Sequence, residues 1–488
     1  MNLLTKSKYL VGLQCPKYLW MMFHEKHKIP EPDEQAQFKF DQGYLVGDLA
    51  KSLFKNGIDI ETENFSKNLE SSRELLKNKK PLFEPAFLID RLYSRADILE
   101  PNKDGWDIIE VKSSTEVKDV HVKDVAFQKY AYEKSGLKIK KCFLMYVNKE
   151  YVRKGEIEAK KLLLKEDITK DVEKEILLIP ERLKNIFKII DADKNPVSKI
   201  GKNCDNPYEC PLIDDCWSFL PENSVFDLYR GGKRTIELFE SGILAIKDIP
   251  EQYELHEKQK IQHECEKTGK PYINKKGIKE FLDSLKYPLY FMDFETYSTV
   301  IPLYDGLKPY QNIPFQFSVH AVDKNGKKHY SFIAEGSDDP REKFIENLKK
   351  VIGAEGTVVV YNQSFEQSRL KELAELFPKY RMFIDSVIKR MADLLVVFRE
   401  FNYYHPKQKG SCSIKYVLPA LTGKSYEGME IANCGDASLD YLHITQGTNG
   451  KKAGKEEVLK VRKDLEKYCG LDTEGMVWVV ERLGELIK

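Results

Sequence analysis

The sequence predicts a multidomain α/β protein, and three observations carry that prediction. The chain is 488 residues long, which at about 150 residues per domain allows two to four domains. Strand-sized apolar runs, GWDIIEVKS (105–113), KCFLMYVN (141–148), YPLYFMDFETY (287–297) and GTVVVYN (356–362), are interspersed with helical stretches. Between residues 222 and 286 the pattern turns helical and charged, most clearly in EQYELHEKQKIQHECEKTGK (251–270). The expected division is therefore 1–221, a helical connector 222–286, and 287–488. The last segment ends in a long amphipathic helix, KEEVLKVRKDLEKYCGLDTEGMVWVVERLGELI.

Composition narrows the class. Hydrophobic residues make up 42% of the chain, enough for real cores, and 26 Tyr with 25 Phe exclude disorder as the main state. The apolar runs fall far short of the roughly 18 residues a spanning helix needs, so no membrane partner is expected. Lysines in MNLLTKSKYLVGLQCPKYLW stand where a signal peptide needs its apolar core, and a cytoplasmic location is expected. Basic and acidic residues nearly cancel, 78 against 77, so net charge by itself argues for no partner. Nine cysteines in such a chain point to thiols or a metal centre rather than disulfides. GTNGKKAGKE (447–456) reads as a mobile loop.

In the first segment, Glu84 lies in LFEPAFLIDRLY and Asp97 in YSRADIL, and IIEVKSS follows with Glu110 and Lys112. An acid followed by E-x-K on a second strand is a compact hydrolytic arrangement. Asp97 and Glu110 would bind a divalent ion, and Lys112 on the same face would polarise water or neutralise charge on a phosphate. Charged alternation on an exposed strand also produces E-x-K, so the next helix matters: AFQKYAY places Gln128 and Tyr132 at i and i+4. This order resembles the PD-(D/E)XK nucleases of the RecB type, including their Q-x-x-x-Y motif. The resemblance implies a restriction-endonuclease-like core, with Glu84 among the metal ligands and Gln128 and Tyr132 placing the lysine or the strand. Gly47, in GYLVGDLAKSLF, stands where such domains often carry a metal-binding His, so one ligand is lacking.

Cys204, Cys210 and Cys216 form C-x5-C-x5-C, and Cys15 stands alone in GLQCPKYLW. Four thiolates can hold a [4Fe-4S] cluster. Tetrahedral zinc uses the same ligands, and free thiols are a third reading. The resemblance to RecB-type nucleases with an iron–sulfur staple implies the cluster. Cys142, Cys265, Cys412, Cys434 and Cys469 are scattered and are expected to pack in cores.

In the last segment, Asp293 and Glu295 share one face of a strand, being two residues apart. Asn362 and Glu366 fall at a strand-to-helix junction, and Tyr468 and Asp472 at i and i+4 share one face of the final helix. Carboxylates from two strand regions and two helices can hold a pair of Mg²⁺ ions about 3.5–4 Å apart. DFET, YNQSFE and YCGLD resemble the motifs of the ribonuclease H-like DEDD exonucleases in their tyrosine form. The resemblance implies a ribonuclease H-like mixed sheet with helices, and 3′-to-5′ hydrolysis of a nucleic acid strand. Asp293, Glu295, Glu366 and Asp472 would be its metal ligands, and Tyr468 would orient the attacking water. Glu366 stands where that family usually has Asp, which re-aims one ligand.

Asp393 is read as an accessory acid or a helix cap. Tyr403, Tyr404 and His405 are read as stacking surfaces for bases or as loop packing. DLYRGGKRTIELFESGILAIKDIP, with its Gly242 turn, distantly resembles a helix–hairpin–helix phosphate binder. Over its full length the chain also resembles a bacterial family joining both halves, whose C-terminal part is a domain of unknown function. The expected function is a metal-dependent nuclease with two centres, each using one or two Mg²⁺ or Mn²⁺ ions. Its partner would be single-stranded nucleic acid, DNA favoured over RNA. The alternative is a nucleic-acid-binding scaffold with one or both centres lapsed. A redox protein lacks support, because no G-x-G-x-x-G fingerprint follows a strand.

Overall fold

The computed structural model describes residues 2–447 and 452–488, so part of the loop expected at 447–456 lies outside the described residues. The chain divides into two units. Met1–Ser218 with Thr299–Gln311 form one, and Phe219–Ser298 with Asn312–Lys488 form the other. The divide after Ser218 falls close to the boundary expected at 221, but residues 222–286 are part of the second unit rather than a separate connector. Packing explains this. Ile278 shares a core with Leu289 and Phe291, Cys265 packs with Phe401 and Tyr404, and Tyr272–Ile273 pairs with Tyr403–Tyr404. Thr299–Gln311 joins the first unit because Val300 packs with Val46 and Ile109, its amide donating to Gln42 Oε1 at 2.8 Å.

Among the described residues, the first unit is built on a six-stranded mixed sheet. Its order is Ile58–Asp59, Leu82–Phe83, Ile98–Asn102, Gly105–Lys112, Ile139–Val147, Leu163–Asp167. Ile98–Asn102 and Gly105–Lys112 pair antiparallel. Gly105–Lys112 and Ile139–Val147 pair in parallel, which requires a crossover, and the helix Asp119–Lys134 supplies it. Both faces are covered: Trp106 and Ile108 enter one core and Ile109 the other. Glu110 and Lys112 therefore emerge at the end of a buried central strand.

The second unit carries a five-stranded sheet among its described residues, ordered Gly326–Ile333, Ile313–Asp323, Leu289–Tyr297, Thr357–Val360, Met391–Asp393. The first two junctions are antiparallel and the last two parallel. Leu289–Tyr297, which carries Asp293 and Glu295, is the middle strand. Helices Arg341–Val351 and Gln363–Leu376 cover one face through Phe344, Leu348 and Leu370. On the other face lie Ile414–Thr422 and the final helix, Lys455–Ile487, through Leu418, Met476 and Val479. The molecule is thus α/β with mixed sheets and many helices. Among the described residues, no helix is long and apolar enough to cross a membrane.

Candidate functional site

Each unit gathers acids on its central strand, but the two gatherings differ in charge balance. In the first unit, Glu110 is buried, and three groups reach its carboxylate. Lys112 Nζ and Lys6 Nζ both donate to Oε1 at 2.6 Å, and Gln128 Nε2 donates to Oε2 at 2.7 Å. Lys112 also donates to Asp124 Oδ2 at 2.7 Å. Burial acts to lower the pKa of Lys6 and Lys112, yet Asp124, Glu110 and Asp97 outweigh it and hold both above the ordinary lysine range. Asp97 Oδ2 accepts the Val111 amide at 2.6 Å. Glu84, at φ 56, pairs with Arg95 Nε at 3.1 Å and lies 3.6 Å from Lys51 Nζ.

Glu84, Asp97, Glu110 and Lys112 line one cavity of about 720 Å³ together with Lys6, Gly47 and Asp48. Tyr132 lies elsewhere: its fully buried hydroxyl donates to Pro85 O at 2.6 Å and accepts the Ala96 amide at 2.8 Å. It therefore clamps the backbone beside Glu84 and Asp97 and presents nothing to a ligand. Lys6 and Asp124 escaped sequence reasoning. Asp124 had a signal, since Asp124, Gln128 and Tyr132 recur every four residues on one helix face. Lys6 had none.

Cys15, Cys204, Cys210 and Cys216 lie in one region of the first unit, while Cys142 packs in its core. Burial raises the Cys210 thiol to about 11, and Cys15, Cys204 and Cys216 all add to the shift, so all three lie near it. Gln14 Nε2 donates to the carbonyls of Asn203 and Tyr208 at 2.8 and 2.6 Å, and the Lys17 amide to Ser198 Oγ at 3.1 Å. The Cys15 segment is thereby tied to the segment carrying the other three. Four thiols are the donor type of a [4Fe-4S] cluster or of zinc, but among the described residues no three of these sulfurs lie within 4.8 Å of one another.

In the second unit, Asp293, Glu295 and Cys469 bring ligand atoms within 4.8 Å of one another. Burial, then Asp472, pushes Asp293 well above the usual carboxylate range; burial, then Asp293 and Asp472, does the same to Glu295. Asp472 is pushed up to about 6 by burial, against a hydrogen bond from Tyr426 at 2.5 Å. Glu366, in the first turn of Gln363–Leu376, is raised by burial and then by Asp293. Among the described residues, Glu295 Oε1 and Glu366 Oε2 are buried with no hydrogen-bond partner. Such orphaned acceptors are costly without a cation or donor. The donors therefore fit a hard divalent ion.

Tyr468 is buried, with its hydroxyl 3.7 Å from Cys434 Sγ. Asp293, Asn362, Tyr468 and Asp472 line a cavity of about 460 Å³ with Lys415. Asp393 acts as a cap, its Oδ1 accepting the amides of Asn362 and Leu395 at 2.9 and 3.1 Å. Tyr403 and Tyr404 are buried, and Tyr404 stacks on Phe401 at 5.0 Å, so neither offers a face to a base. The strand pairing with Tyr272–Ile273 is what buries them. His405 is half-buried, its Nδ1 accepting the Lys407 amide at 3.1 Å. Gly242, at φ 81, forms the turn after the helix Lys233–Glu240. Sequence reasoning missed Tyr426 and Lys415, which sit outside any periodic pattern.

Residues 290–413 match the model of a domain of unknown function (DUF2779), a range that includes Asp293, Glu295 and Glu366 but ends before Asp472. The chain is 32% identical over 231 residues to an uncharacterized protein of Ureaplasma parvum, covering 42% of this chain and 32% of that one. It is 30% identical over 242 residues to an uncharacterized protein of Mycoplasma genitalium, covering 43% and 34%. The chain thus spans about a third of the length of these curated relatives.

Proposed function

We propose that this protein is a metal-dependent nuclease whose hydrolytic centre is the acid cluster of the second unit. One observation carries the reading: three buried acids, Glu295, Glu366 and Asp472, gather around the half-buried Asp293, two of their oxygens have no partner, and no lysine or arginine is in hydrogen-bond contact with them among the described residues. A sheet ordered as three antiparallel strands followed by two parallel ones, with acids on the middle strand, supports a ribonuclease H-like fold. When bound, Mg²⁺ or Mn²⁺ would activate water and stabilise the leaving oxygen. Asp293, Glu295, Glu366 and Asp472 would hold the ions. Tyr426 fixes Asp472 through its hydroxyl, and Tyr468 faces the cavity where the attacking water would be oriented. The substrate is a single-stranded nucleic acid, with DNA favoured, and the reaction is exonucleolytic.

The first unit supports a second reading for its own site. The hairpin, E-x-K strand, crossover helix and parallel strand follow PD-(D/E)XK order, yet Glu84, Asp97 and Glu110 each already neighbour a cation. As placed, they do not fit a metal ion without displacing Lys6. Lys6 stands where a divalent ion would sit, which suits strand binding better than hydrolysis. The cysteine cluster, with [4Fe-4S] favoured over zinc, would staple the ends of this unit. The test is metal-dependent hydrolysis of end-labelled strands by wild type and by Asp293→Asn. Loss in the variant supports the reading, and retention sinks it.

A further inference from the structure

The turn at residues 229–232 opens onto the same cavity as Asp293 and Asp472. Tyr229, Arg230 and Arg399 line it alongside those acids. Arg230 has φ 48, in the left-handed region that a bulky side chain adopts only when its surroundings impose it. Those surroundings are specific. Gln262 Oε1 accepts the Tyr229 amide at 2.7 Å, Gln259 Nε2 donates to Tyr229 O at 3.0 Å, and Gln262 Nε2 donates to Asp227 O at 2.9 Å. Both glutamines are at most 1% exposed. A Cβ on Gly231 would meet Thr235 Oγ1 at 2.2 Å, and one on Gly410 would meet Asp227 O at 2.0 Å. Two buried amides and two glycines thus fix the backbone that carries Arg230.

A solvated surface arginine needs no such cradle. Arg230 is exposed at the cavity, and among the described residues neither it nor Arg399 has a carboxylate partner. One wall of the cavity is therefore acidic and suited to cations, and another carries two uncompensated guanidinium groups. Guanidinium is the side chain best matched to phosphate oxygens. We infer that Arg230 and Arg399 form an anion subsite for the phosphate adjacent to the scissile one. The substrate is then a strand end carrying one phosphate beyond the bond to be broken. This rests on the hydrolytic reading of the acid cluster.

Isothermal titration with the dinucleotide dTpdT, with and without a 5′-phosphate, tests it, using Ca²⁺ in place of Mg²⁺ to keep the bond intact. Wild type binds the 5′-phosphorylated form about tenfold tighter, the worth of one charge-assisted contact. The Arg230→Gln/Arg399→Gln variant loses that preference, and Lys233→Gln, at the start of the helix that follows and not among the residues lining the cavity, keeps it. A preference absent in wild type, or retained in the double variant, overturns the subsite. The measurement needs no hydrolysis, so a protein that cleaves nothing can still show the subsite, and an active one can still lack it.

Discussion

Lys6 and Glu110 lie 104 residues apart in sequence and meet at 2.6 Å. The same carboxylate oxygen accepts Lys112 at 2.6 Å. Glu295, equally buried at 1% exposure, has an oxygen with no partner. One acid cluster is therefore compensated by lysines while the other leaves a buried carboxylate oxygen without a partner, and this contrast leads to distinct expectations.

Removing the lysine should open the first site. In an Asp293→Asn background, Lys6→Met is expected to tighten Mn²⁺ binding at Asp97 and Glu110 by about 2 kcal/mol, the scale of a charge-assisted hydrogen bond. Mn²⁺ titration followed by electron paramagnetic resonance reads this, and an unchanged affinity contradicts it.

Tyr132→Phe deletes one hydroxyl and leaves the Ala96 amide and the Pro85 carbonyl with only their mutual hydrogen bond at 3.2 Å. The expected cost is about 1–3 kcal/mol, read as a lowered midpoint for the first unit's unfolding in urea. A shift in midpoint below the error of the measurement would show that the clamp is not needed.

The second site should respond to pH in the opposite sense to an ordinary ion-paired acid. The Asp472 carboxyl is raised from 3.8 to about 6, so between those values the folded protein holds more protons than the unfolded chain. Metal-free stability then falls as pH rises through that window and levels off above it. Divalent ions compete with those protons, so Mn²⁺ should stabilise the protein at pH 7 and lose its effect below about pH 6. Thermal melts across pH with and without Mn²⁺ test both arms.

Anaerobically purified protein is expected to contain iron and acid-labile sulfide in equal amounts, and Cys15→Ser to lose both. Zinc in their place would assign the four cysteines to a tetrahedral site.

Much of this was legible in the sequence where function and local pattern coincide. Asp293 and Glu295 sit two apart on a strand, Tyr468 and Asp472 four apart on a helix, and the three late cysteines keep a regular spacing. The final helix also ran as its periodicity required. What was not legible depends on tertiary approach. Lys6 reaches Glu110 across the fold, Tyr426 reaches Asp472 from an irregular segment, and Arg230 owes its position to glutamines more than 25 residues away. The 251–270 stretch reads as part of a helical connector because it is helical and charged, and nothing in that pattern marks two of its glutamines as buried. Gln259 and Gln262 are buried, satisfied by backbone groups of the turn they hold. For Tyr403 and Tyr404 the sequence leaves stacking and packing open, since aromatic loop composition does not tell a stacking face from a buried pairing, and their burial decides for packing.

The most direct test is one degradation assay: end-labelled single-stranded DNA and RNA, with Mg²⁺ or Mn²⁺, incubated with wild type, Asp293→Asn and Lys112→Ala. The account predicts stepwise cleavage by wild type, none by Asp293→Asn, and cleavage by Lys112→Ala that survives with weaker strand binding. Cleavage that persists in Asp293→Asn and disappears in Lys112→Ala would place the chemistry in the first unit and contradict it.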